Sequence, residues 1–272
     1  MSITIVKANG EKEEYSEEKI RASASRVGVP EDVQNDMVAD IRGKLYEGIS
    51  TREIFDNIKA YLHAKNMSHF ASKYNLKKAL SEIGPSGYPF EQYTARLLEA
   101  IGYSCKTNQI VQGSCVSHEI DVEAVKDGRT WFIEAKFHKN PTQRTDVKVT
   151  LYIHARYEDI VDAWKGGGTG SWIVTNTRFS GDAIDYARCR DIRITSWGYP
   201  KGEGIMDLIE RTGLHPVTML DSLTGEDKER LLSAKVVVCS ELLEGNNAAL
   251  LPEATRAAIM REVKQVCGKS LQ

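Results

Sequence analysis

The chain has 272 residues, enough for about two domains at the usual ~100–200 residues each. Hydrophobic residues make up 41% and charged residues 27%, so most of the chain is expected to fold. The formal net charge of −2 gives no general attraction to nucleic acid, so a DNA-binding surface would require a local basic patch. No apolar run is long enough to span a bilayer, and the N-terminus lacks a signal peptide's apolar core. We therefore expect a cytoplasmic protein without membrane contact.

The five cysteines are an odd number, they are scattered along the chain, and none forms a CxxC pair. This spacing argues against a disulfide framework and against a structural zinc site. The five positions are Cys105, Cys115, Cys189, Cys239 and Cys267.

The first segment, residues 1–83, predicts a small hairpin followed by helices. An alternating strand from Ile3 to Lys7 is followed by Asn9-Gly10, a strong signal for a two-residue hairpin turn. A second strand is predicted to end at Tyr15, and Ser16 then suits the N-cap of a helix that begins with two acids. Further helices are predicted over residues 30–46, 50–63 and 67–81.

The turn-rich residues 84–87 predict a domain boundary, and residues 86–214 form the second predicted domain. Its pattern is a helix over 89–101, strands over 117–125 and 130–138 around Asp127-Gly128, a helix over 147–164, a strand over 171–175, a helix over 181–189 and a strand over 192–195. That order predicts a mixed α/β layer fold. Residues 215–272 are predicted to be helical, with a capping box at Thr224 and Asp227. The whole is a multidomain protein of α+β and α/β parts.

The two strands around Asp127-Gly128 carry the candidate chemistry. Side chains alternate along a strand, so Asp121 on the first strand and Glu134 and Lys136 on the second can share one face. Two adjacent carboxylates repel unless a cation or a proton lies between them. Mg²⁺ suits such a pair, because it is held by few carboxylates and keeps positions for water and phosphate. The alternative is an exposed hairpin face with a cross-strand salt bridge.

This pattern resembles the PD-(D/E)xK nuclease superfamily, in which an acid ends one strand and (D/E)-x-K lies on the next. The resemblance implies that Asp121 and Glu134 hold Mg²⁺ or Mn²⁺ and that Lys136 orients the attacking water. In that family the preceding helix often supplies another acid, and Glu91 occupies this place. The residues from Gly170 through Thr177-Arg178-Phe179-Ser180 to Ala183 resemble the Mrr-like branch of restriction endonucleases. The resemblance covers residues 88–214 and implies a DNA substrate.

Four cations after the hairpin are candidates for contacts with a DNA backbone: Lys139, Arg144, Lys148 and Arg156. A solvated helix face explains the same charges equally well.

The first segment resembles the ATP-cone domain, the nucleotide-binding module of ribonucleotide reductases and their repressor. The match spans residues 3–82 and includes Tyr15-Ser16-Glu17-Glu18-Lys19-Ile20 and Gly48-Ile49-Ser50-Thr51. The resemblance implies an ATP or dATP site, although Ala8 stands where the family usually has Arg. The alternative is a capped hairpin with no ligand. The positions that correspond to nucleotide contacts are Lys7, Glu13, Ser16, Lys19 and Thr51.

Together these features predict a nucleotide-regulated, Mg²⁺-dependent DNA endonuclease that assembles as a homo-oligomer. Two other classes stay open at this point. One is a non-catalytic DNA-binding regulator that senses ATP or dATP. The other is an oligomeric nucleotide-binding protein without nucleic acid. The C-terminal helices loosely resemble a helix-hairpin-helix unit, and a packing or oligomerisation pair is the alternative.

Overall fold

The computed structural model describes residues 3–7, 10–67, 70–71, 74–84 and 87–267. The chain divides into two compact units. The first contains residues 1–76 together with 264–266, and the second contains residues 77–263 and 267–272.

The first unit begins with the predicted hairpin. Gly10 has φ +83°, a left-handed conformation that glycine adopts without strain. Ser16 caps the first helix by accepting a hydrogen bond from the backbone N–H of Lys19, and Ser50 caps the third by accepting one from Glu53. The elements are β1 (Thr4–Val6), β2 (Lys12–Glu14), α1 (Glu17–Arg26), α2 (Glu31–Gly43) and α3 (Thr51–Ala64).

The core of the first unit lies between the hairpin and the three helices. Ile5 from β1, Ile20 from α1, Met37 from α2 and Ile58 from α3 are all buried in one apolar cluster. The backbone N–H of Val6 also donates to the carbonyl of Ile49, which ties the hairpin to the residues before α3. The prediction of a hairpin followed by helices is therefore confirmed. Predictions that involve Ala8, Asn9 and Pro85 lie outside the described residues.

The second unit is built around a sheet with helices on both faces. Its helices are α4 (Leu76–Ser81, which starts at the end of the first unit), α5 (Tyr88–Ala100), α6 (Val147–Ala163), α7 (Gly181–Cys189), α8 (Ile205–Thr212), α9 (Gly225–Ser233) and α10 (Glu253–Cys267, of which residues 264–266 belong to the first unit). Its strands are β3 (Ser104–Gln112), β4 (Ser117–Lys126), β5 (Arg129–Lys136), β6 (Arg144–Thr145), β7 (Thr169–Thr175), β8 (Arg178–Phe179) and β9 (Arg193–Thr195).

The central sheet has five strands in the order β3-β4-β5-β7-β9. The pairs β3–β4 and β4–β5 are antiparallel, whereas β5, β7 and β9 run parallel to one another. Crossover helices α6 and α7 connect the parallel strands, as parallel strands require. The predicted mixed α/β fold is confirmed. Strands β6 and β8 form a separate two-stranded sheet after the C-terminal ends of β5 and β7.

The turn between β4 and β5 has the geometry that its sequence predicts. Asp127 has φ +51° and Gly128 has φ +74°, and positive φ at both positions is what a type I′ turn requires. The pairing of Lys126 with Arg129 closes the hairpin around these two residues.

Both faces of β5 are buried over most of the strand. Phe132, on the same side of β5 as Glu134, packs with Ile120 and Ile160 under α6 and is 3% exposed. On the other face, Ile133 is 1% exposed, and α5 contacts β3, β4 and β5. Strands inside a layered α/β fold are covered on both sides, so their sequences are apolar on both sides.

The residues after 214 combine helices with 3₁₀ turns and extended backbone. The predicted capping box is confirmed, because the N–H of Thr224 donates to Asp227 Oδ2 (3.1 Å) and the N–H of Asp227 donates to Thr224 Oγ1 (3.2 Å). An ion pair between Arg96 and Glu241 (2.9 Å) links this region to α5. The 3₁₀ turns are Val217–Met219, Cys239–Leu243 and Asn247–Leu250.

Within the described part of the chain, the helices are all too short or too polar to traverse a bilayer.

Candidate active site

Asp121 and Glu134 lie where β4 and β5 separate. The last pair of the two strands toward this end is Val122 with Ile133, and Asp121 and Glu134 are the residues next to that pair. Asp121 Oδ2 accepts a hydrogen bond from the backbone N–H of Ala135 (2.7 Å), which fixes its carboxylate against β5. The site lies at the C-terminal end of β5, an edge where parallel strands of α/β sheets commonly present ligand-binding groups.

A third carboxylate comes from α5. Burial, followed by the charges of Asp121, Glu119 and Glu134, raises the pKa of Glu91 from its ordinary value of 4.5 to about 7. Burial and the charge of Glu134 likewise raise the pKa of Asp121 to about 6. The predicted acids are therefore brought into one electrostatic cluster, although they come from three different elements.

Arg156 on α6 is the cation of this cluster. Its Nη1 lies 2.9 Å from Glu134 Oε2, and it also donates to the carbonyl of Glu119 (3.2 Å). The guanidinium stacks on the ring of Tyr152 at 4.7 Å and donates to its hydroxyl (3.0 Å). Arg156 therefore holds Glu134 in place, a role that differs from the DNA contact considered for it in the sequence.

Lys136 lies two residues after Glu134, on the same side of β5. Among the described residues its ammonium has no ion pair or hydrogen bond, whereas Glu134 is paired with Arg156. The pKa of His138 is lowered first by burial of its ring and then by the charge of Lys136.

His138 belongs to a buried polar network at the C-terminal ends of β5 and β7. Its Nε2 lies 2.9 Å from Thr145 Oγ1, and Thr145 in turn donates to Thr175 Oγ1 (3.2 Å). Asn176 accepts from the backbone N–H of His138 and donates to its carbonyl, both at 2.8 Å. The network therefore ties the segment after Lys136 to the end of β7.

The donor chemistry of the acids fits a hard divalent cation. Asp121 and Glu134 each use one carboxylate oxygen in a protein contact, and the second oxygen has no hydrogen-bond partner among the described residues. No group of three or more Asp, Glu, His or Cys side chains in that same part of the chain is spaced to hold one ion. A pair of carboxylates suits Mg²⁺, which keeps several water molecules when it binds to proteins.

The first unit contains a cavity of about 280 Å³ at the predicted nucleotide positions. Glu13, Ser16, Lys19 and Thr51 line it, together with apolar side chains that include Ile5 and Phe55. Lys7 is not part of the lining, but its Nζ lies 3.0 Å from Glu13 Oε2, and Lys19 Nζ lies 2.9 Å from the same oxygen. Hydrogen bonds from Lys19 and Lys7 lower the pKa of Glu13.

Three of the four cations considered for DNA contact remain exposed, namely Lys139, Arg144 and Lys148. Arg144 lies directly opposite Arg178 in the small β6–β8 sheet, so this end of the second unit carries two adjacent arginines. Sequence reasoning missed Arg178, because only the strand pairing brings it next to Arg144.

Two family models match the second unit. A restriction endonuclease model, the Mrr catalytic domain, matches residues 85–198, and an AF1548-like C-terminal model matches residues 215–267. An uncharacterized protein of Archaeoglobus fulgidus is 43% identical over 169 residues, which span 62% of this chain and 94% of that protein. The chain belongs to the AF1548-like family. The resemblance to Mrr-like restriction endonucleases is thereby confirmed at the level of the domain.

One solved structure agrees with this membership. The crystal structure of AF1548, a protein of unknown function, is 40% identical with a TM-score of 0.58, and the match covers 68% of this AF1548-like chain and all of that chain. Can2 from Sulfobacillus thermosulfidooxidans, solved with cyclic tetra-adenylate, is 14% identical with a TM-score of 0.30 over 68% of this chain and 60% of that one. The second likeness is too distant to carry an argument. The family models reported above begin at residue 85, so the ATP-cone interpretation of the first unit stays a prediction.

Sequence reasoning also missed Arg156 as the partner of Glu134 and the network around His138. Arg156 lies 22 residues after Glu134, and no local spacing connects the two. The residues Thr175-Asn176-Thr177 did offer a signal, because three polar residues directly after a buried strand are typical of groups gathered at a sheet edge.

Proposed function

We propose that this protein is a metal-dependent DNA endonuclease that is regulated by adenine nucleotides through its first unit. The observation that carries the proposal is the acid pair Asp121 and Glu134 at the end of the β4–β5 hairpin, with the unpaired Lys136 on the same strand as Glu134. The restriction endonuclease domain over residues 85–198 agrees with a nuclease.

Each residue has a defined task in the proposed reaction. Asp121 and Glu134 hold Mg²⁺ or Mn²⁺, and Glu91 orients water next to them as a further acid. Lys136 positions the attacking water and neutralises charge that builds up on the phosphate. A bound divalent cation supplies Lewis-acid stabilisation of the phosphodiester during attack. Arg156 keeps Glu134 in place, because its guanidinium is anchored by Tyr152 and by the carbonyl of Glu119.

The proposed DNA surface lies beside this site. Arg144 and Arg178 face each other across β6 and β8, and like charges in register repel unless an anion lies between them. A phosphate of the DNA backbone is such an anion, and arginine binds phosphate through paired N–H groups. The β6–β8 sheet follows the C-terminal ends of β5 and β7, and Glu134 and Lys136 lie at that end of β5.

The proposed nucleotide site is the cavity of the first unit. Its apolar side chains suit a base, and Ser16 and Lys19 at the N-terminus of α1 suit phosphate groups. The hydroxyl of Tyr15 is buried and has no hydrogen-bond partner among the described residues, so a ligand can satisfy it. Regulation then requires that ATP or dATP binds more tightly to one functional state than to the other.

The central test is cleavage of DNA by two variants. Asp121→Ala and Lys136→Ala are each expected to reduce Mg²⁺-dependent cleavage by at least about a hundredfold, since each removes a group that acts in the transition state. Both variants are expected to remain folded and to keep nucleotide binding. Asp185→Ala and Lys165→Ala, which remove exposed charges elsewhere in the second unit, serve as matched controls. Undiminished cleavage by both site variants would reject the assignment.

A non-catalytic DNA-binding regulator is the second candidate. The ion pair between Arg156 and Glu134 favours it, because a bound arginine already neutralises one of the acids without a metal. The two functions differ in an assay on supercoiled, linear and modified DNA with Mg²⁺ or Mn²⁺, with and without ATP. Cleavage on any substrate selects the nuclease, and metal-independent binding without cleavage on all of them selects the regulator.

A further inference from the structure

The edge of the central sheet opposite the acids carries a cluster of stacked cations and aromatic rings. The guanidinium of Arg193, the first residue of β9, lies 3.8 Å from the ring centroid of Trp172 and 5.5 Å from that of Trp131. Arg129 covers Trp131 at 4.3 Å, and Lys126 lies 5.0 Å from the ring of Tyr103. Each contact is of the cation–π kind, which is strongest where water is excluded. We call these six residues the cation–aromatic cluster.

A cavity of about 400 Å³ opens beside this cluster. Tyr103, Lys126, Trp172 and Arg193 from the cluster line one side, and Ile101 contributes apolar surface. The other side comes from the segment before α8 and from α8 itself, through Glu203, Leu208 and Arg211. The volume lies in the range of pockets that bind small molecules, and it exceeds what a single inorganic anion needs.

The charge inside this cavity is unbalanced. Among the described residues, Lys126, Arg193 and Arg211 have no carboxylate partner, and Glu203 is the only acid in the lining. Lys126 donates to the carbonyl of Ile101 (2.7 Å) and Arg193 donates to the hydroxyl of Tyr103 (2.9 Å), so their positions are fixed by neutral groups. Three cations that share a concave site repel each other, and an anionic ligand removes that repulsion.

Stacking alone does not account for this arrangement. The guanidinium of Arg193 lies against the ring of Trp172, and its Nη1 donates to the hydroxyl of Tyr103, which leaves its other N–H groups for further hydrogen bonds. An arginine fixed in this way has already lost its rotamer freedom and binds a phosphate without that entropic cost. Arg211 takes part in none of the stacked pairs, so its presence in the lining has no explanation in packing with aromatic rings.

We infer that this cavity binds a phosphate-bearing ligand of nucleotide size, with its phosphate on Lys126, Arg193 and Arg211 and a sugar hydroxyl or base amino group on Glu203. The phosphate accounts for the three unpaired cations, and the remaining volume accounts for a ligand larger than phosphate. Glu203 adds an acceptor, which a nucleoside can satisfy with its hydroxyl and amino donors. The site is separate from the acid cluster and does not depend on the proposed nuclease activity.

The same chemistry can come from a free nucleotide or from the phosphorylated end of a nucleic acid. Titrations of the full chain in EDTA with dAMP, with a 5′-phosphorylated oligonucleotide and with inorganic phosphate distinguish these sources. Tryptophan fluorescence is the readout, because the four tryptophans (Trp131, Trp164, Trp172 and Trp197) all lie in the second unit. Binding in the first unit therefore contributes little to the signal.

The wild type is expected to respond to dAMP or to the oligonucleotide at lower concentration than to phosphate. Arg211→Gln and Lys126→Gln are each expected to weaken this binding by about tenfold, the effect of losing one charge-assisted hydrogen bond. Arg188→Gln, which changes an exposed arginine on α7, is expected to leave it unchanged. No response of the wild type to any of the three ligands at millimolar concentration would overturn the inference. Equal affinity of the Arg211→Gln and wild-type proteins, or phosphate binding as tightly as the nucleotide ligands, would do so as well.

Discussion

The two ends of the strands in the central sheet carry opposite charges. We call them the acidic edge, around Asp121 and Glu134, and the cationic edge, around Arg129 and Arg193. At the C-terminal end of β5, Glu91, Asp121 and Glu134 crowd together, and burial with mutual repulsion raises the pKa values of Glu91 and Asp121 to about 7 and about 6. At the N-terminal end, Arg129 and Arg193 are stacked on aromatic rings, which stabilise cations directly. Among the described residues, Arg156 is the cation that pairs with these acids, and Glu203 is the only acid that lines the cavity beside the cations.

The comparison shows that a folded protein accommodates neighbouring like charges in two different ways. The aromatic rings stabilise the guanidinium groups, whereas Arg156 pairs with Glu134 alone among the described acids. Glu91 and Asp121 therefore keep their repulsion until a proton or a metal ion binds. Sites of this kind commonly lower stability in return for function. The acidic edge is therefore expected to respond to pH and metal, and the cationic edge to packing and anions.

The largest expected effect concerns DNA next to the acidic edge. The double variant Arg144→Ala/Arg178→Ala is expected to weaken DNA binding by about a hundredfold at low salt, because two phosphate contacts are lost. The slope of log K against log salt is expected to fall by about 2 in magnitude. Filter binding or fluorescence anisotropy at several salt concentrations measures both quantities. Arg188→Ala/Arg190→Ala on and after α7 is the matched control, and an unchanged slope in the test variant would exclude this surface.

An intermediate effect concerns packing at the cationic edge. A Cβ at Gly170 would lie 2.7 Å from Cζ3 of Trp131 and 3.0 Å from Nη2 of Arg129, so the ring and the stacked guanidinium must move. Gly170→Ala is expected to lower the free energy of unfolding by about 1–3 kcal/mol, as overpacked sites do. It is also expected to change the tryptophan fluorescence of the free protein. Urea unfolding followed by circular dichroism provides the measurement.

Gly225→Ala is the control for this substitution. A Cβ at Gly225 meets no atom within 4 Å, and the residue starts α9, where alanine is favoured over glycine. Its stability is expected to equal or exceed that of the wild type. If Gly170→Ala is as stable as Gly225→Ala, the cation–aromatic cluster is looser than its distances indicate.

Sequence reasoning was most successful where short spacing decides structure. Ser16, the Asp127-Gly128 turn and the Thr224–Asp227 capping box were predicted because each depends on neighbours within a few residues. Strand β3 was missed, since its polar edge-strand sequence lacks the apolar alternation that marks a half-buried strand.

Within the candidate site, the same limit explains what was found and what was not. Asp121, Glu134 and Lys136 were found because a tight hairpin makes residues on its two strands neighbours. The ion pair of Glu134 with Arg156 and the stack of Arg193 on Trp172 depend on how helices and parallel strands pack, and sequence spacing carries no information about that. The binding of a metal ion, the binding of DNA and the binding of a nucleotide are predictions. They are tested by the Tm shift with Mn²⁺, by the salt dependence of DNA binding and by cleavage with and without ATP.

The smallest expected effect concerns the cost of crowding the acids. The pKa of Glu91 rises from 4.5 in its ordinary state to about 7 in the folded protein, so between these values the folded state binds the proton more tightly than the unfolded state does. Stability therefore falls as pH rises from about 4.5 to about 7, and the full cost is present above pH 7. Glu91→Gln removes this cost, so the metal-free variant is expected to unfold about 2 °C or more above the wild type at pH 8.

The same substitution is expected to have little effect near pH 4.5, where Glu91 is largely protonated in the folded state. Glu158→Gln, an exposed acid on α6, is the control and is expected to leave the Tm unchanged at pH 8. Addition of Mn²⁺ at pH 8 is expected to raise the Tm of the wild type, because the ion replaces the missing protons, and to leave Asp121→Ala unchanged. A Tm gain for Glu91→Gln that is the same at pH 4.5 and pH 8 would mean that the gain comes from packing, and the acidic edge would then carry no stored repulsion for a metal to relieve.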